Sequence, residues 1–67
     1  MKYRAFTEHE TIAEAATMND CLKGILEDCT LEDIIEWNIW IEVIDEDGNE
    51  TESFASTAVY DMCKELE

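Results

Sequence analysis

From Gly24 to Cys63 the chain has no lysine and no arginine. Proline is absent throughout, glycine occurs twice and histidine once. Each shortage removes a class of function. Two glycines cannot build a glycine-rich phosphate loop. Three cysteines at spacings of 8 and 34 form neither a CxxC zinc signature nor a disulfide framework. His9 has no sequence partner for a metal site or a nucleophile pair. Four basic residues in all cannot neutralise a phosphate backbone, so direct nucleic-acid binding is excluded, and anionic membranes are disfavoured on the same ground. No apolar run approaches transmembrane length.

What is present is acid. The same 40-residue stretch holds 12 of them: Glu27, Asp28, Glu32, Asp33, Glu36, Glu42, Asp45, Glu46, Asp47, Glu50, Glu52 and Asp61. Net charge is −14 at pH 7. High net charge can signal disorder, but 46% of the residues are hydrophobic and they fall in strong patterns. A folded surface ordinarily mixes both signs, because like charges repel in the compact state. A single-sign surface on a folded chain points to a basic partner.

The 67 residues make one domain, 1–67. A chain of this size buries about 60% of its unfolded surface and sits near the limit of independent stability. With no disulfide or metal to help, a homodimer or a docked partner is expected. Apolar positions such as Trp40 or a helix stripe would form its interface. The N-terminal sequence MKYRAFTEHE has no apolar leader core, so the expected location is the cytoplasm, which suits reduced Cys21, Cys29 and Cys63.

Lys2 to Thr7 has strand composition, with fraying or fusion to the next helix as the alternative. Thr7 with Glu10, and Thr11 with Glu14, fit the capping-box pattern and predict a helix start near one of them. The stripe Ile12, Ala15, Ala16, Leu22, Ile25, Leu26 and Cys29 follows at helical spacing, with Gly24 inside it. Thr30-Leu31-Glu32-Asp33 resembles a further cap, for one helical turn or a connection. From Glu36 the period becomes two. Trp37, Ile39, Ile41 and Val43 face one way, which places Trp37 in the core. Glu36, Asn38, Trp40, Glu42 and Ile44 face the other. Asp47-Gly48 marks a hairpin turn, Glu50 to Phe54 the returning strand. A last helix, capped by Ser53, Ser56 or Thr57, carries Ala55, Val59, Met62, Cys63 and Leu66 as its stripe. The fold class is therefore α+β: a small two-layer β-α-β-β-α domain, or α-β-β-α without the first strand. One long and one short helix cover one face of an antiparallel sheet. The other face is acidic and holds Trp40.

The hairpin concentrates six carboxylates: Glu42, Asp45, Glu46, Asp47, Glu50 and Glu52. Same-side residues on a strand lie about 7 Å apart and neighbouring strands about 5 Å. Those spacings approach the phosphate spacing of a nucleic-acid strand, about 7 Å along the backbone. With Glu36 and Trp40 these residues form the candidate partner-binding surface, Trp40 as a hot-spot aromatic. Asp45-x-Asp47-x-Asn49 echoes a calcium-loop spacing. Glu50 stands where that loop needs glycine and Ser56 where it needs glutamate, so no metal or cofactor is expected. No catalytic constellation is present and the chain is not expected to be an enzyme.

In size, charge and strand-turn-strand-helix order across Glu36 to Glu67, with the carboxylate-rich hairpin Trp40 to Glu52, the chain resembles the small acidic phage-encoded inhibitors. These are anti-CRISPR and anti-restriction proteins, several of which imitate DNA. The resemblance implies an inhibitor that binds the basic nucleic-acid cleft of a target protein. The alternative is a non-enzymatic acidic adaptor, working as a homodimer or subunit, whose charge serves solubility.

Overall fold

The computed structural model describes residues 1–66. Seven elements follow in order: β1 (Lys2–Phe6), β2 (Thr11–Ala15), α1 (Met18–Asp28), α2 (Leu31–Glu36), β3 (Trp40–Ile44), β4 (Glu50–Phe54) and α3 (Ser56–Leu66). The four strands form one antiparallel sheet in the order β2-β1-β3-β4. The class is the expected α+β, an antiparallel sheet with helices. The element order differs by one strand and one helix.

The extra strand lies where a helix start was expected. Thr11 to Ala15 pairs with β1, Tyr3 opposite Ala15 and Arg4 opposite Glu14. Thr7 does cap, but it caps a turn. Its hydroxyl oxygen accepts from the backbone N–H of His9 and of Glu10, both at 3.2 Å, and closes the β1–β2 loop. The helix starts later, with Thr17 accepting from Asp20 N–H at 3.2 Å. At α2 the capping box is complete: Thr30 Oγ1 accepts from Asp33 N–H, and Asp33 Oδ2 accepts from Thr30 N–H.

Register sorts the sheet into two faces. Ala13, Ala5, Ile41 and Phe54 form one cross-strand row on the helix side; Ala15, Tyr3, Val43 and Glu52 form the next. The core joins Ala5 and Ile41 to Cys21, Leu22 and Ile25 of α1, Ile34 of α2, Ile39, and Val59 and Cys63 of α3. No aromatic ring is fully buried among the described residues.

Gly24 has a packing reason. A Cβ built there would stand 3.1 Å from the Cβ of Ala13, so α1 lies nearly in backbone contact with β2. Alanine is the better helix former by about 1 kcal/mol, but Ala13 Cβ is fixed to the strand backbone and cannot rotate away. Gly24→Ala is expected to lower stability by about 1 kcal/mol, overpacking outweighing propensity. Adding Ala13→Gly should recover part of it, which a double-mutant cycle in urea measures.

Cys21, Cys29 and Cys63 are buried as small core residues. Burial pushes the Cys21 thiol from its ordinary 9.0 up to about 11, helped by nearby Cys63 and Glu14. Burial, then Asp33, raises Cys29 as well. The unfolded chain therefore loses these protons first as pH rises. Stability should hold below about pH 9 and fall through pH 11, by on the order of 2 kcal/mol from Cys21. Denaturant titrations between pH 8 and 11, repeated on Cys21→Ala, check this. The variant should lose part of the alkaline slope.

Candidate partner interface

The sheet face without helices carries three cross-strand rows. Lys2, Ile44 and Glu50 form one, Glu14, Arg4, Glu42 and Ser53 the next, and Phe6 and Trp40 the third. Trp40 lies on this face as expected. Its indole stacks on Phe6, with centroids 5.6 Å apart and planes 25° apart, and its Nε1–H donates to Glu42 Oε2 at 3.1 Å. The Arg4 guanidinium lies 5.9 Å over the Phe6 ring. Trp40 is thus half-buried in contacts of its own.

The expectation of a purely acidic open face needs correction. Lys2 and Arg4, two of the four basic residues, lie here and both reach Glu14, at 3.4 and 2.8 Å. The Arg4 hydrogen bond, with the charges of Arg4 and Lys2, holds the Glu14 carboxyl below its ordinary range despite some burial. Among the described residues Glu14 is the one acid in an ion pair. Among the described residues none of the hairpin carboxylates is in an ion pair.

Those carboxylates gather at one end of the sheet. In the β3–β4 turn, Asp45 N–H donates to Asn49 O at 2.9 Å and Gly48 N–H to Asp45 O at 3.1 Å. Gly48 takes φ of 86°, the left-handed conformation the turn requires. Asp45 Oδ1 accepts from Asp47 and Asn49 N–H, both at 2.9 Å, so its carboxylate shapes the turn. Glu46, Asp47, Glu50 and Glu52 are exposed. A register shift between Val43 and Ile44 puts Glu50 on the open face opposite Ile44. Glu52 pairs with Val43 and belongs to the helix-side row. Glu42, Asp45, Glu46, Asp47 and Glu50 are therefore brought together, while Glu52 points away from them across the sheet.

Glu36 does not join this group. It ends α2, at the far end of β3 from the turn. Trp37, expected in the core, is instead 48% exposed. It caps α2, and Asn38 follows with φ of 53°. Ile39 N–H returns to Ile34 O at 2.9 Å, and Asn38 N–H to Ile35 O at 3.2 Å. This left-handed termination swings Trp37 outward before β3 begins at Trp40. Trp37 then lines a cleft of about 430 Å³ with Glu36, Asn38 and the β1–β2 loop residues Thr7, Glu8, His9 and Glu10. No pattern in the sequence brought that loop to Trp37. The capping box at Thr30 was the available signal that a helix starts at Leu31; it runs to Glu36, which takes Glu36 and Trp37 out of the strand alternation.

No helix among the described residues is long and apolar enough to cross a membrane. No protein family, curated protein or solved structure matches this chain.

Proposed function

We propose that this chain is a small acidic inhibitor that occupies the nucleic-acid-binding cleft of a basic protein, in the manner of the phage-encoded anti-CRISPR and anti-restriction DNA mimics. The observation that carries the reading is charge without compensation on an ordered scaffold. Twelve acids lie between Gly24 and Cys63 with no basic residue among them, and five hairpin carboxylates converge on one turn and the adjoining sheet face. The hairpin is pinned by backbone hydrogen bonds and by Asp45, so the charges are held in place before any partner arrives. Preorganised charge loses less entropy on binding than a flexible acidic tail does. It also attracts basic surfaces over long range at low salt.

The test is displacement of DNA. Fluorescent duplex DNA is bound to each of several basic nucleic-acid-binding proteins, nucleases among them, and the chain is titrated in at rising salt. A mimic releases DNA from at least one of them at lower concentration than polyglutamate of equal total charge, and its apparent affinity falls steeply with salt. An adaptor leaves the DNA bound in every case, and that result would replace the inhibitor reading with the alternative.

A further inference from the structure

We infer that the cleft between the β1–β2 loop and the end of α2 receives an arginine side chain of a protein partner, with Trp37 as the surface against which the guanidinium stacks. This rests on the proposed basic partner but adds a second contact point, at the opposite end of the sheet from the hairpin turn. The cleft is concave, about 430 Å³, and one wall is the half-exposed indole of Trp37. That indole makes no side-chain hydrogen bond and no ring contact among the described residues, unlike Trp40. The left-handed Asn38 and the hydrogen bonds of Asn38 and Ile39 back to α2 fix the backbone on either side of it, so its exposure is built into the helix end.

The other lining groups define the occupant. Glu8, Glu10 and Glu36 bring carboxylates from two separate segments. α2 carries no base in its last turn, where a cation would ordinarily sit, and ends instead on Glu36. No lysine or arginine lines the cleft. Lys2 and Arg4 are committed to Glu14 on the open sheet face. His9 apart, which also lines the cleft, the counter-charge must come from another molecule. An indole face beside several carboxylates suits a planar guanidinium, which stacks on the ring while its N–H groups reach two acceptors at once; a lysine ammonium cannot do both equally well. A second concavity, near the hairpin turn, contrasts with this one: Lys2 and Arg4 line it together with Glu14, Asp45 and Glu46, so cations of the chain already stand among its acids.

The probe is a hexa-arginine peptide titrated at low salt into ¹⁵N-labelled protein, followed through the two indole N–H signals, which Trp37→Phe assigns. The Trp37 indole signal should move with the backbone signals of Glu8, Glu10 and Glu36, whether or not the hairpin and the Trp40 indole bonded to Glu42 respond as well. Trp37→Ala should weaken binding about tenfold and Glu36→Gln severalfold. Hexalysine should bind more weakly than hexa-arginine. Both substitutions are at exposed positions, and an unchanged Trp40 indole signal confirms the fold. The inference is overturned if the Trp37 signal does not move, if only hairpin signals move, or if Trp37→Ala binds like the parent. Movement confined to the hairpin would leave the inhibitor reading intact. An arginine-responsive Trp37 in a chain that never displaces DNA would keep the cleft and discard the inhibitor.

Discussion

Ile34→Ala is expected to lower stability by about 2–5 kcal/mol, a large share of what so small a domain has. Ile34 is fully buried on the six-residue helix α2, and its carbonyl also receives the Ile39 N–H that ends the helix. Truncating a buried isoleucine to alanine removes about 2–5 kcal/mol, part from lost transfer and part from the cavity left behind. A 67-residue domain holds only about 3–10 kcal/mol in all, at 0.05–0.15 kcal/mol per residue. Here the core is built from Ile, Val, Leu, Ala and Cys, with no fully buried ring to close around the gap. The neighbouring position is the control. Ile35 is 46% exposed, so Ile35→Ala should change stability by less than about 0.5 kcal/mol. Urea titrations followed by circular dichroism read both. Equal midpoints for the two variants would mean that α2 does not present the face described here.

The contrast between Ile34 and Ile35 also shows which parts of the fold were legible in the sequence. β4 from Glu50 to Phe54 carries its own signals, a turn glycine before it and strand composition, and local chemistry was enough to place it; the expected cap at Ser53, Ser56 or Thr57 is not formed among the described residues, since α3 begins at Ser56 behind Ala55, whose carbonyl accepts from Val59 N–H. β2 carries the opposite signals. Thr11-Ile12-Ala13-Glu14-Ala15 is alanine-rich, favours helix, and sits behind threonines spaced like capping boxes. It is a strand because β1 offers it a ladder and because α1, through Gly24, needs a small-residue surface to lie on. That is tertiary context overriding propensity, which local patterns do not contain. Trp37 failed for a different reason. Its alternation with Ile39 and Ile41 is real in the sequence, but the left-handed Asn38 between helix and strand resets the phase. The hydrophobic pattern records which residues repeat; it does not record where the backbone turns over. The candidate site was legible to the same degree. Charge and hairpin placed Asp45 to Glu50 together, while the split of Glu52 from Glu50 depended on a register shift that only the paired strands reveal.

Neutralising the turn end should weaken binding to a basic target by about 30- to 1,000-fold. The variant is Glu46→Gln, Asp47→Asn and Glu50→Gln together, three exposed acids without ion pairs at one end of the sheet. A charged contact that is desolvated at an interface contributes about 1–3 kcal/mol, and one on the rim much less, so three of mixed burial sum to about 2–4 kcal/mol. Asp45 is left in place because its carboxylate accepts the Asp47 and Asn49 N–H groups, and losing it would disturb the turn itself. Folding should be kept or improved. The melting temperature should rise at low salt and its dependence on salt should flatten, because mutual repulsion is relieved. The decisive comparison is a second variant with the same change in net charge elsewhere: Glu27→Gln, Asp28→Asn and Asp61→Asn, exposed on α1 and α3. Glu14 is unsuitable for that control, since it anchors both Lys2 and Arg4. If binding depends on the hairpin, the first variant loses most of its affinity and part of its salt slope, while the second loses only the small share due to overall charge. Equal losses in the two would mean that net charge alone drives association, and the hairpin would no longer be the site.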